Sequence, residues 1–180
     1  MSTLRKPFLD GLTALSAFGL ALSFVSHLAS LLGGTGPLGG DAWVLHIGIF
    51  VVWIPAIFVS RALTKGVPQK DFWKATLRGC PPWMRWMVTL LFGYALLNFI
   101  LLLASRTPAK SSGPMTPWDV YLFSGHWMIF YAAAMATFYS AAHLDNASPR
   151  CIQGHSVSPH AKFCDQCGQP VVQAPRDPAS

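Results

Sequence analysis

Four long apolar stretches cross this chain, and they limit its fold more than any other feature. They are Gly11–Leu32, Ala42–Ser60, Trp86–Ala104 and Trp118–Ala142. Each has about the 20 residues that an apolar helix needs to cross the hydrocarbon core of a bilayer. Lipid offers no hydrogen bonds to the backbone, so only helices and closed barrels span it, and barrel strands are shorter and alternate in polarity. The sequence therefore predicts an all-α membrane protein, an antiparallel bundle of four transmembrane helices.

Composition agrees with a chain that lies mostly in lipid. Charged residues make up 11% of the sequence and hydrophobic residues 52%, whereas soluble domains carry about 25% charged residues. The first apolar stretch follows two basic residues, as in a signal peptide, but it is longer than the 7–15 apolar residues typical of one. We therefore expect it to remain as the first membrane span.

The distribution of basic residues predicts the orientation in the membrane. The loop between the second and third stretches contains six of them: Arg61, Lys65, Lys70, Lys74, Arg78 and Arg85. The loop Gly33–Asp41 has none. Because cytoplasmic loops are enriched in Lys and Arg, both termini should face the cytoplasm of a bacterial-type inner membrane. We therefore interpret the basic residues that give the net charge of +6 as topology signals and as contacts to anionic lipid headgroups. No nucleic-acid partner is expected.

One part of the basic loop has helical spacing. Gln69–Arg78 follows Pro68, and its cations recur every four residues, so that they share a face. This spacing predicts a short helix lying on the headgroups with its apolar side chains toward the membrane. A simple basic connector is the alternative interpretation.

Two patterns indicate how the helices pack and begin. Small residues recur three and four apart along the first stretch, which lets helix backbones approach closely in a membrane. They are Ser16, Gly19, Ser23, Ser26 and Ser30.

The fourth stretch opens with Thr116, Pro117 and Asp119, and this combination of cap, first-turn proline and acidic residue predicts a helix start.

The polar tail carries a cysteine and histidine pattern. Cys151 and His155 are followed by Cys164 and Cys167, with a glycine beside each pair. Cysteine and histidine pairs on two turns supply the tetrahedral donors that zinc prefers. The tail resembles the short zinc-ribbon modules of many bacterial proteins, which read C-x-x-G-H and then F-C-x-x-C-G. The resemblance implies that these four residues bind zinc, with His160 as a substitute ligand suggested by spacing.

The alternatives for the tail are a disordered segment with chance cysteines or a redox C-x-x-C motif, which expects a different, βαβ setting. Four protein ligands leave no place for substrate, so the zinc should be structural and the module should dock another protein. The predicted organisation is a four-helix transmembrane domain, a linker, a cytoplasmic zinc ribbon and a disordered tail. These occupy residues 1–143, 144–149, 150–171 and 172–180.

Three histidines lie in the apolar stretches, where ionisable groups are costly and invite a functional hypothesis. His27, His46 and His126 fall at similar predicted depth on three helices. Two of them on facing helices could hold the iron of haem b from both sides. The alternatives are a direct transition-metal site, a polar pathway through the bundle, or structural hydrogen bonds made by each histidine.

Two functions follow from these features. The first is a membrane scaffold or accessory subunit that binds a protein partner or a second copy of itself, and the second is an electron-transfer protein containing haem b. A transporter is disfavoured because no Asp, Glu, Lys or Arg lies near the middle of a span. All seven acidic residues are aspartates, and no nucleophile–base pair, glycine-rich phosphate loop or carboxylate pair is evident. The sequence therefore favours a protein that is not an enzyme.

Overall fold

A computed structural model of the chain describes residues 5–104, 114–147, 151, 153, 155, 157 and 162–170. Helices dominate these residues. They are α1 (Arg5–Leu31), α2 (Trp43–Leu63), α3 (Phe72–Thr76), α4 (Pro82–Ala104) and α5 (Pro117–Ala147). Single 3-10 turns precede α2 and α3. The chain divides into two compact units, residues 1–142 and 143–180, and each is described by itself.

Three helical segments are long and apolar enough to cross a membrane: Lys6–Leu31, Gly39–Leu63 and Pro82–Ala104. They correspond to the first three predicted spans, and their outward side chains, such as Phe58 and Leu90, are large, apolar and exposed. Within the described residues α5 is not among these segments, although its 31 residues are long enough. That α5 also spans the bilayer stays a prediction. It extends to Ala147, into the segment predicted as a linker.

The composition of α5 reflects its inward position. Every residue from 131 to 138 is buried, and five of the eight are alanine or threonine. Thr137 and Ser140, in the same half of the helix, are buried polar residues. A helix that faces other helices is selected for small side chains and close packing rather than for apolarity. This accounts for the small and polar side chains in the second half of α5.

Tyr131 joins α5 to the first two helices, α1 and α2. Its ring occupies the space that a side chain at Gly19 of α1 would need, and its hydroxyl group occupies the corresponding space at Gly48 of α2. The hydroxyl group donates a hydrogen bond of 2.8 Å to the backbone carbonyl of Leu45. The predicted row of small residues on α1 is buried, as close packing requires.

The predicted start of α5 is confirmed in atomic detail. The Asp119 carboxylate accepts hydrogen bonds from the Thr116 backbone N–H at 2.9 Å and from its hydroxyl group at 2.6 Å. The Asp119 N–H is 3.3 Å from the Thr116 hydroxyl oxygen, which accepts its hydrogen bond. This reciprocal pair satisfies backbone N–H groups that no earlier turn can serve.

The basic loop folds into a short helix and then packs against α5. The helix α3 is shorter than the predicted 69–78, because a 3-10 turn replaces its first part and it ends at Thr76. Beyond it, the Gly79 N–H donates to the Ser140 hydroxyl oxygen at 3.0 Å, and the Cys80 thiol donates to the Ala136 carbonyl at 3.1 Å. Cys80 is 4% exposed, and burial raises the pKa of its thiol to about 11.

Candidate metal centre

The structure brings the four predicted zinc ligands of the tail together. The donor atoms of Cys151, His155, Cys164 and Cys167 all lie within 4.8 Å of one another. The sulfur atoms of Cys151 and Cys167 are 3.6 Å apart, and the Cys164 sulfur is 3.7 Å from Nδ1 of His155. With metal–ligand bonds of zinc length, the edges of a tetrahedron measure about 3.6–3.8 Å. The arrangement is compatible with a tetrahedral ion such as zinc.

Local backbone turns place the donors. The Gly168 N–H donates to the Cys164 carbonyl at 2.8 Å, which closes the C-x-x-C turn, and Gly168 has a φ of +69° that a residue with a side chain rarely adopts. The Cys164 N–H donates to the Gln169 carbonyl at 2.8 Å. On the other side, the Cys151 N–H donates to the His155 carbonyl at 3.0 Å. Each ligand pair thus belongs to one hydrogen-bonded turn.

The electrostatic surroundings favour thiolate at two of the three sulfur atoms. Burial raises the pKa of Cys151 and of Cys164. Several hydrogen bonds together outweigh this effect, the largest being from the backbone at His155 for Cys151 and at Cys167 for Cys164, so both pKa values lie below the ordinary value. A hydrogen bond from the Gln169 backbone lowers the pKa of Cys167, but burial and the neighbouring sulfur atoms raise it more, so the net direction is upward. Thiolate is the form that binds metal, and a bound cation would favour loss of the remaining proton from Cys167.

The group has a buried side and an exposed side. Cys151, Val157 and Cys164 form a small buried cluster, with Cys167 packed against it. Phe163, next to the ligand Cys164, is 64% exposed. Aromatic side chains, Phe among them, are enriched in protein interfaces relative to the rest of the surface. The sequence pattern contained Phe163, but only the structure shows that its ring faces outward.

Four protein donors also determine what the centre can do chemically. A tetrahedral ion held by all four has no open position for water or substrate, so such a site is structural rather than catalytic.

Comparison of the chain with protein-family models, curated proteins and solved structures finds no match. The substitute ligand His160 lies outside the described residues, as does the predicted disordered tail.

His27 is fully engaged by neighbouring side chains. Its Nδ1 lies 2.7 Å from the Ser124 hydroxyl oxygen, and its Nε2 lies 2.7 Å from the Tyr94 hydroxyl oxygen. Ser124 donates its own proton to the Tyr121 carbonyl at 2.9 Å. The Ser124 oxygen therefore accepts from Nδ1–H, and Nε2 accepts from Tyr94. This chain of hydrogen bonds joins α1, α4 and α5 and leaves no ring nitrogen of His27 for a metal.

His46 and His126 form a separate pair. Their rings stack with centroids 5.6 Å apart and planes inclined by 14°. Nδ1 of His46 is buried and has no hydrogen-bond partner among the described residues. Axial haem ligands instead point one nitrogen each at an iron between them, so both rings would have to turn to hold haem. The structure thus brings together two of the three predicted haem residues, His46 and His126, whereas both ring nitrogens of His27 are bonded to other side chains.

Proposed function

We propose that this protein is an integral membrane scaffold or accessory subunit whose cytoplasmic zinc ribbon docks a partner protein. In this proposal α1, α2, α4 and α5 form an antiparallel bundle of four spans, with both termini in the cytoplasm. The three apolar helices and the basic loop on one side of them support it. The catalytic features that an enzyme would need are not suggested by the sequence.

The observation that carries the proposal is the convergence of four Cys and His donors within 4.8 Å. A module of about 25 residues cannot bury enough apolar surface to fold unaided, and zinc binding supplies the missing free energy. A four-coordinate zinc site has no open position for a substrate. The module should therefore act through the protein surface that the bound zinc stabilises. Phe163 is the most prominent apolar group on the described part of that surface.

The zinc site is tested by metal analysis of the purified full chain. The wild type should contain about one zinc ion per chain, and Cys164→Ser should contain almost none. His155→Cys should retain zinc, because four cysteines also form a tetrahedral site. Cys80→Ala is the matched control, since Cys80 is buried against α5 and should not affect the metal. Equal zinc in the wild type and Cys164→Ser would exclude the site.

Docking is tested separately from folding by Phe163→Ala. This variant should keep its zinc, because the side chain contributes no donor atom, but should lose the proteins that cross-link to the wild type in intact cells. His155→Cys should retain the same cross-links. If Phe163→Ala and Cys164→Ser both retain the wild-type cross-links, the tail is not the docking surface.

Orientation is tested with a thiol reagent that does not cross membranes. With a cytoplasmic tail, Cys151, Cys164 and Cys167 should be labelled in inverted vesicles treated with a chelator, but not in intact spheroplasts. Labelling in the spheroplasts alone would place the tail outside. The same result would show that the number of spans, or the direction of the first, differs from the proposal.

A second candidate function is electron transfer through haem b held by His46 and His126. Two observations favour it: the two rings are adjacent on α2 and α5, and Nδ1 of His46 is buried without a partner among the described residues. Visible spectra of protein from haem-replete cells should then show a Soret band, with sharper α and β bands after dithionite reduction. His126→Ala should lose them. A colourless wild type would exclude this function.

A further inference from the structure

An apolar groove runs along α4 on its side toward α5. It encloses about 540 Å³, and Trp73 of α3 and the nearby Leu77 form part of its lining. Its walls are predominantly aromatic and small apolar side chains, among them Trp53, Trp73, Phe92, Ala95, Phe99 and Ala133. Trp73 is 50% exposed and lies at the α3 end. A groove of this volume falls in the range of small-molecule binding sites.

The length of the groove matches one leaflet. Along α4 its lining extends from Val88 to Phe99, which is about 16 Å at 1.5 Å per helical residue. The hydrocarbon core of a bilayer is about 30 Å thick, so one leaflet supplies about 15 Å. A lipid chain that enters beside α3 and runs along α4 would therefore end near the middle of the bilayer.

Three exposed cations lie next to groove-lining residues in the sequence. Lys70, Lys74 and Arg78 are exposed and flank the groove residues Trp73 and Leu77 in sequence. The ion pair found within the described residues joins Lys6 to Asp10, so none of these three cations has a carboxylate partner there. Cations next to an apolar slot at a membrane surface complement a lipid that has an acidic headgroup.

We propose that the groove binds one acyl chain of an anionic phospholipid, whose phosphate is held by Lys70, Lys74 and Arg78. The fit rests on three matched features: apolar lining, a length of one leaflet, and cations next to the lining residues Trp73 and Leu77. The proposal is independent of the tail's docking role, because all the residues involved lie in the unit of residues 1–142. The bound lipid would fix α3 to the membrane surface.

The proposal is tested by lipid retention. The full chain is reconstituted into vesicles of equal parts phosphatidylcholine and phosphatidylglycerol, extracted in mild detergent, and analysed for bound lipid by mass spectrometry. The wild type should retain phosphatidylglycerol in preference to phosphatidylcholine. Lys70→Glu with Lys74→Glu should reduce that preference about tenfold, whereas Lys65→Glu, an exposed charge outside α3, should leave it unchanged.

The second part of the test fills the groove with a larger side chain. Ala95→Phe should abolish retention of either lipid, and Leu97→Phe, on the exposed face of α4 outside the groove, should not. Ala95→Leu serves if the larger variant does not give a monodisperse helical protein. Equal retention of the two lipids by the wild type, or normal retention by a folded Ala95 variant, would overturn the proposal. Recovery of an isoprenoid quinone in place of phospholipid with protein purified directly from cell membranes would overturn it as well.

Discussion

The ring of Tyr131 occupies the space that a side chain at Gly19 would fill. The same tyrosine bonds to the backbone of α2 through its hydroxyl group. One residue of α5 thus determines how closely α1 and α2 approach it. Without a hydrophobic force between helices in lipid, such close contacts are a main source of stability.

Gly19→Ala should therefore destabilise the helical unit by about 1–3 kcal/mol, because overpacking forces the neighbouring side chain to move. The free energy of unfolding would be measured by denaturant titration in mixed micelles. Gly93→Ala is the matched control, since no atom lies within 4 Å of an added Cβ there, and it should be neutral or slightly stabilising. Equal effects at the two glycines would contradict this account of the packing.

The hydrogen-bond chain through His27 predicts a coupled effect. Tyr94→Phe leaves Nε2 of His27 buried without a partner, and we expect a loss of about 1 kcal/mol, within the range measured for side-chain hydrogen bonds in membrane proteins. In a His27→Leu background the same change should cost much less. A double-mutant cycle in the same micelles measures this difference, and additive effects would show that the two residues are not coupled.

Removal of the metal should unfold the tail and leave the helices intact. The peptide bond after Lys162, next to the exposed Phe163, should become more sensitive to trypsin after treatment with a chelator, because structural zinc sites lose their fold without the ion. Added zinc should restore protection. Cleavage after Lys65, an exposed residue of the first unit, should not change. An unaltered rate after Lys162 would mean that metal does not hold the tail.

Cys80 predicts a stability change at alkaline pH. Burial disfavours its thiolate and raises its pKa from 9.0 to about 11, so the folded protein holds the proton more tightly than the unfolded chain. The contribution of the protonated Cys80 thiol to the free energy of unfolding is complete below about pH 9 and is lost as the pH rises through 11. Thermal unfolding of the wild type and Cys80→Ala, followed by circular dichroism, should converge over that interval. Parallel curves would show that Cys80 does not contribute.

The sequence alone determined the features that depend on the kind of residue and its spacing along the chain. Three of the four predicted spans are helices of sufficient length and apolarity, because solvation by lipid acts on each stretch independently. The cap at Thr116 and Asp119 was predictable because its partners are three residues apart. The approach of Cys151, His155, Cys164 and Cys167 was predictable because two short turns place both ligand pairs.

Only the tertiary structure decided which distant side chains meet. Three histidines at similar depth looked equivalent in the sequence, but Ser124 and Tyr94 bond both nitrogens of His27, and His46 stacks on His126 instead. The inward position of α5 was likewise unpredictable from its length. Apolar side chains occur both where a helix contacts lipid and where it contacts other helices. The spacing of apolar residues therefore cannot distinguish a helix that packs on three others from one that faces the bilayer. Contacts across the fold depend on rotation of each helix about its axis, which local patterns do not fix.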